Sequence, residues 1–237
     1  MKKILFSLVA LVCSMSMNAQ VMKIMKNGEE VATYKGAEYT VVFEEAPVLG
    51  KTGTAKATIG GSEVDVEWVQ LWENGPRFAK YNVGVTDGKA ESYGGYYAWG
   101  GSQDKVDDHN TDTVDLTGDA DTATKLWGSA WRMPTQAELE ALPANCDVEW
   151  TAVNGVNGRK FTGKGDYASN SVFLPAAGWF DSEDVDDVVD QGSFGDCWSS
   201  TPYDSNFAYD LSFSSGGQYV DGGYRPYGFS VRAVLAE

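Results

Sequence analysis

Residues 131–142 carry the one fully signposted helix start in a chain otherwise written in strand and turn residues. Thr135 followed three residues later by Glu138 is a capping box: the hydroxyl accepts from the Glu138 amide and the carboxylate reaches back to the Thr135 amide. Pro134 keeps the helix from starting earlier, and Ala137, Leu139, Ala141 and Leu142 give it a small apolar surface. Pro143 is expected to stop it after roughly two turns. A large core aromatic is expected at Trp131.

The first 19 residues read as a secretory signal: Lys2 and Lys3, an apolar run from Ile4 to Val12, and a small-residue exit at Asn18-Ala19 before Gln20. Cys13 is a weaker lipidation candidate, because Val12 is larger than the residue expected before a lipidated cysteine. An exported protein follows, secreted or held at the cell surface, with the periplasm as a further destination. No other stretch approaches a membrane span, so membrane insertion is not expected. Losing Lys2 and Lys3 takes the formal net charge from −16 to −18. With no basic cluster, nucleic acid is excluded as a partner on electrostatic grounds. Cys146 and Cys197 can pair as a disulfide or stay as two buried thiols; two cysteines alone specify no framework.

Strand patterns run through most of the chain. Residues 20–48 read as a small β-hairpin leader, with strands at 21–26, 30–34 and 39–43 around an Asn27-Gly28 turn. A Pro/Gly-rich boundary at 47–53 precedes a linker and first strand at 49–63, which ends on Gly60-Gly61. The main domain is placed at 64–237. Within it, Asp121 caps a short helix over 122–127 that Gly128 ends. Further strands are expected around the 154–158 turn, at 172–175 and over 209–213. In the last of these Tyr209, Leu211 and Phe213 alternate with Asp210 and Ser212, as in a sheet with one wet face.

Candidate chemistry is sparse. His109 is the sole histidine and lies in an acidic loop, and zinc sites need more Cys and His than this chain has. The carboxylates Asp104, Asp107, Asp108, Asp112, Asp115, Asp119 and Asp121, and then Asp181, Glu183, Asp184, Asp186, Asp187 and Asp190, are oxygen donors suited to Ca²⁺. Neither run has the spacing of a calcium loop, so no cofactor is assigned and Ca²⁺ is left open; solubilising loops are the simpler account. Among the eight tryptophans, Trp127, Trp131, Trp150 and Trp198 are read as core, and Trp72, Trp99 and Trp179 as freer to be exposed.

The ordered set Trp127-Gly128, Trp131 to Thr135 with Glu138, Asn154 to Gly158, Phe173 to Gly178, Trp198-Ser199-Ser200, Ala208 to Phe213, and Arg225, Gly228 and Ser230-Val231-Arg232 resembles the Fibrobacter succinogenes major paralogous domain family. That family is common among exported proteins of gut Bacteroidota. The resemblance covers roughly residues 64–237 and implies an α+β, C-type lectin-like domain. It would have two short helices and twisted antiparallel sheets and be preceded by a small β-hairpin segment. Cys197 departs from the pattern, standing where family members commonly have an aromatic. Formylglycine-generating oxidases share the implied fold but use nearby paired cysteines, whereas Cys146 and Cys197 lie in unrelated segments. The Glu-Pro-Asn, Gln-Pro-Asp and Trp-Asn-Asp triplets of calcium-dependent sugar lectins are absent. A non-enzyme is the preferred reading, with such a lectin and then the oxidase as alternatives.

The functional stretch is 203–229, where 14 of 27 residues are Tyr, Ser or Gly. Tyrosine gives large contact area for few rotors, while serine and glycine give adaptable polar contacts, as in antibody paratopes. The candidate ligand-binding residues are Tyr203, Asp204, Ser205, Phe207, Asp210, Ser212, Tyr219, Asp221, Tyr224 and Tyr227. The expected ligand is an extracellular protein or glycan, bound by an adhesion-type module. The arrangement is similar to the variable region of diversity-generating retroelement target proteins; a Gly-rich hairpin whose tyrosines merely cover the sheet is the alternative. Recognition requires Tyr219, Tyr224 and Tyr227 to be exposed, with Tyr209 buried beside Leu211 and Phe213.

Overall fold

The computed structural model of the chain describes residues 2–7, 11–16, 21–26, 29–35, 39–44, 51–181 and 188–236. Two compact units divide it, Met1–Gly50 and Lys51–Glu237. In the first, β2 (Leu11–Ser16), β3 (Val21–Lys26) and β4 (Glu29–Lys35) form an antiparallel sheet, while β1 (Lys2–Ser7) pairs in parallel with β5 (Tyr39–Glu44). Residues 39–44 thus pair with the start of the chain instead of extending the hairpin. The Asn27-Gly28 turn, the Asn18-Ala19-Gln20 exit and residues 45–50 lie outside the described residues.

The second unit begins with β6 (Thr52–Ile59) and β7 (Ser62–Gln70), joined at Gly60-Gly61, both at positive φ. They continue into a five-stranded sheet through β8 (Arg77–Ala79), β18 (Val234–Leu235) and β9 (Trp131–Arg132). A second sheet is β10 (Asp147–Val153), β11 (Val156–Thr162) and β12 (Ser171–Pro175), all antiparallel. Its Asn154-Gly155 turn has φ of 49° and 86°, the doubly positive pair that a two-residue hairpin matched to strand twist requires. A short pair, β13 (Trp179–Phe180) and β14 (Val188–Val189), precedes the third sheet. That sheet is the antiparallel meander β15 (Phe194–Pro202), β16 (Phe207–Ser214) and β17 (Gly217–Tyr224).

The helices are connectors. Asp121 caps α1 (Thr122–Trp127) through the Thr124 amide at 2.9 Å and also accepts from the Met133 amide at 2.8 Å, tying the helix to the strand after it. α2 (Gln136–Asn145) begins with the expected capping box. Its Glu138 carboxylate takes the Thr135 amide at 2.8 Å and holds Arg132 through both oxygens at 2.7 Å. Burial alone would raise the Glu138 pKa, but the Arg132 and Thr135 bonds outweigh it and hold the group below its ordinary value. Pro143 does not end this helix, which continues to Asn145. So near the C-terminus a missing N–H costs one ladder bond, and the Asn145 side chain bonds the Ala141 carbonyl at 2.8 Å. Ala137 faces solvent, leaving Leu139 and Leu142 as the buried anchors.

These proportions overturn the α+β, C-type lectin-like class. Strand accounts for 43% of the structure and helix for 12%, spread over several antiparallel sheets, and helices of six and ten residues cannot form a layer of their own. The class is mostly β. Three apolar clusters fill the second unit: an aromatic one with Trp68, Trp99, Trp127, Trp131, Trp198 and Phe229, an aliphatic one in which Leu139 and Leu142 of α2 meet Phe161, Leu174, Leu211 and Phe213, and a small one of Tyr96, Ala177 and Phe180. Trp131 is fully buried, meets the Trp127 ring edge-on at 5.4 Å and donates from Nε1 to the Lys56 carbonyl at 2.8 Å. Trp99 is fully buried; Trp72, Trp150 and Trp179 are half-buried. Cys146 and Cys197 are both free and buried in the aliphatic cluster.

Candidate functional site

In β15–β17 the cross-strand register sets two rows side by side. Asp196, Ser212 and Tyr219 are in line, and next to them Trp198, Asp210 and Asp221. Alternation places these six on one face, with Cys197, Leu211 and Val220 on the other, against α2. The expected wet face is not wet at its centre: Asp210 is 2% and Ser212 9% exposed. The reason lies downstream, where the C-terminal segment returns over the sheet and stacks Phe229 on Trp198 at 4.3 Å. Gly223 makes that approach fit, since a Cβ there would sit 2.4 Å from the Phe229 ring and 2.9 Å from Asp210 Oδ1.

The outcome is a cavity of about 410 Å³ floored by Asp210, Ser212 and Gly223 and walled by Phe207, Tyr219, Asp221, Tyr224, Tyr227 and Phe229. Its volume falls within the ~300–1,000 Å³ typical of ligand pockets. The aromatic wall is continuous: Phe207 to Tyr224 at 5.6 Å, Tyr224 to Tyr227 at 5.3 Å, and Tyr227 to Trp179 at 4.6 Å. Tyr219 and Tyr224 are 55% and 41% exposed, whereas Tyr227 is only half-buried against Trp179, short of the exposure expected of it. Tyr209 is likewise half-buried, lying under Tyr203 at 5.0 Å instead of in the core.

Seven of the ten candidate residues therefore meet in one cavity: Phe207, Asp210, Ser212, Tyr219, Asp221, Tyr224 and Tyr227. Tyr203, Asp204 and Ser205 do not. They form the exposed β15–β16 turn, where Asp204 Oδ1 accepts from the Asn206 and Phe207 amides at 2.8 and 2.9 Å. That carboxylate is occupied by its own turn.

Beside the floor, on the same face, lies a residue that sequence reasoning missed. Asp196, 4% exposed, has Oδ1 2.5 Å from Ser212 Oγ, and the same Oγ lies 3.0 Å from Asp210 Oδ2. Burial pushes Asp196 up to about 6, with the Asp190 charge adding and the Ser212 and Asp210 bonds opposing. Burial and then the neighbouring Asp196 charge drive Asp210 well above the usual carboxylate range. No Lys, Arg or His pairs with Asp196, Asp210 or Asp221 among the described residues.

The two buried arginines of the closing segment are committed elsewhere. Arg225 stacks on Trp99 at 4.2 Å and donates to the carbonyls of Asp204, Phe207, Asn110 and Asp112. Arg232 donates to Asn82 Oδ1 and to the carbonyls of Ala79, Lys80 and Phe173, and burial pushes its pKa down to about 10. They hold the segment that roofs the cavity.

Among the described residues no group of three or more His, Cys, Asp or Glu has metal-holding geometry. Glu183, Asp184, Asp186 and Asp187 lie outside them. His109 Nδ1 sits 2.5 Å from Asp107 on the acidic loop. Burial pushes the Cys146 and Cys197 thiols up to about 11, the reverse of what thiolate chemistry needs. A second cavity of about 410 Å³, lined by residues such as Thr52, Trp68 and Lys80, differs in that its charges are already paired, Lys80 to Glu67 at 2.7 Å. No helix of the described residues is long and apolar enough to cross a membrane.

Residues 146–234, which include the whole cavity, are similar to a family described as a domain of unknown function, DUF8237. No curated protein and no solved structure matches the chain.

Proposed function

We propose that this chain is an exported, non-enzymatic binding module that recognises an extracellular protein or glycan through the cavity on the outer face of β15–β17. The single observation that carries this reading is the convergence of exposed Tyr219 and Tyr224 with Phe207, Tyr227 and Phe229 around a floor of Asp210 and Ser212. Aromatic walls over a few fixed polar groups are what small recognition sites are made of. Export rests on the Lys2-Lys3 and Ile4 to Val12 pattern. A non-enzymatic role draws support from the raised thiol pKa values and from the lone, loop-borne His109.

The test is a binding screen of the full chain against arrays of extracellular proteins and glycans, repeated with a Tyr219→Ser, Tyr224→Ser double variant. The rings are 55% and 41% exposed and neither belongs to the buried core, so melting should fall by only a few degrees, while truncating interface tyrosines removes retention. Retention unaltered by the double change would reject the cavity as the binding site.

A further inference from the structure

Asp196 Oδ1, Ser212 Oγ and Asp210 Oδ2 form a chain of three oxygens with gaps of 2.5 and 3.0 Å. The serine has one proton and can bridge only one of those gaps. The other closes only when a carboxyl is protonated, so at rest the pair holds a proton. Asp210 is only 2% exposed yet lines the cavity, and the bonds to its carboxyl come from Ser212 and Asp196, with no cation among them. Asp221 lies directly across the strand pair from Asp210, its Oδ1 taken by the Gly222 amide at 2.8 Å. A buried acidic pair without a cation is costly to keep. Sharing one proton, the pair still carries one uncompensated charge beside an open cavity, which makes it a candidate ligand group.

Resting on the binding reading above, we propose that the cavity takes one Lys or Arg side chain from a protein partner, its cationic head reaching Asp210 and its stem lying along Tyr224 and Tyr227. Charge complementarity argues for this occupant. The charged side chains that line the cavity are the carboxylates Asp210 and Asp221, the chain's formal net charge is −16, and aromatic faces attract ammonium and guanidinium groups. The exposed Tyr219 and Tyr224 rings at the rim suit a protein surface around the inserted side chain. A neutral sugar could hydrogen-bond the pair but would leave its remaining charge without a counter-ion. Entry of the cation replaces the shared proton, so binding is coupled to proton release.

The groups that face the pair are Asp190 ahead of β15, Asp221 and Tyr219 on β17, and Tyr227 on the closing segment. The guanidinium groups of Arg225 and Arg232 are spent on the backbone carbonyls and Asn82 already described. Raising the pH through about 6 should therefore strengthen cation binding, and lowering it should weaken it.

The experiment presents the full chain with immobilised pentapeptides, acetylated and amidated, that differ only at a central Lys, Arg, norleucine or Gln, alongside neutral glycans. The expected result is retention of the Lys or Arg peptides at least tenfold above norleucine and Gln at pH 7.5, collapsing at pH 5. Asp210→Asn and the rim change Asp221→Asn should each cut that preference several-fold, with folding checked by circular dichroism. Equal retention of Lys and norleucine peptides, or a preference untouched by both Asn variants, overturns the cationic occupant. A neutral glycan that binds and is lost in the Tyr219→Ser, Tyr224→Ser variant but not in Asp210→Asn overturns this proposal and leaves the binding surface standing. Loss of neither in the tyrosine variant overturns both.

Discussion

Replacing Asp196 by Asn should make the protein more stable, and increasingly so as the pH rises. A carboxyl whose folded pKa lies above its unfolded value binds a proton in the native state where the unfolded chain does not. Its favourable contribution is therefore complete below about 3.8 and is lost as the pH rises through about 6. With roughly 1.4 kcal/mol per pKa unit, the gap amounts to a penalty of a few kcal/mol above pH 6, of which roughly half is already felt at pH 5. Asn keeps the shape, carries no charge and offers an N–H to Ser212 or Asp210, so the variant escapes that penalty. Urea denaturation of wild type and variant at pH 5 and pH 8 measures it, both values lying above the sequence pI of about 4.4, where solubility is poorest. The difference should favour the variant at pH 8 and grow between the two pH values, and loss of the Asp196 charge, which helps hold Asp210 high, adds in the same direction. A variant less stable at pH 8, or a difference independent of pH, would refute the buried, proton-sharing pair.

Other perturbations follow from the same geometry. Trp131→Ala should cost ~3 kcal/mol or more, because a fully buried ring and its bond to the Lys56 carbonyl are both lost; unchanged melting would contradict its place in the core. Thr135→Ala should cost ~1 kcal/mol through the cap, and the stability that Glu138 supplies, held below its normal pKa, should fade as the pH drops through the ordinary carboxylate range. Denaturant unfolding at pH 7 checks the first, and a series carried down to about pH 3, below the ordinary glutamate value, checks the second. Gly223→Ala should lower melting and weaken ligand retention together, since its methyl meets Phe229 at 2.4 Å; a stable variant with full binding would mean that the cavity floor is not as described.

Much of the local structure was legible. The capping box at Thr135, the Asp121 cap and the Gly60-Gly61 turn each state their geometry in two to four residues, because short-range hydrogen bonds and positive φ angles decide them, whereas the turn expected over 154–158 narrows to Asn154-Gly155 with 156–158 already in β11. The fold class was not. Landmark residues such as Trp131, Trp198 and Arg232 announce burial but not how the sheets they join are layered, and two short helices gave the α-content too much weight. At the site, period-two alternation correctly placed Asp210 and Ser212 together, yet it cannot tell what covers a face. Phe229 and Gly223 close over them through a pairing of distant segments. Asp196 was missed for the same reason: it faces Ser212 only through strand register, and its one sequence signal is a carboxylate set between apolar neighbours in Gly195-Asp196-Cys197-Trp198. Arg225 and Arg232 were legible as fixed points but not as donors to eight acceptors on other segments.

The central claim is that ligands enter the cavity over Asp210 and not the equally large one beside Trp68 and Lys80. Amide chemical-shift mapping of the ¹⁵N-labelled chain with any retained ligand tests it directly. The account predicts shifts concentrated at Asp210, Ser212, Tyr219, Asp221, Gly223 and Tyr224, with residues 52–54, 67–69 and 80 unmoved. Shifts confined to the latter set would contradict it.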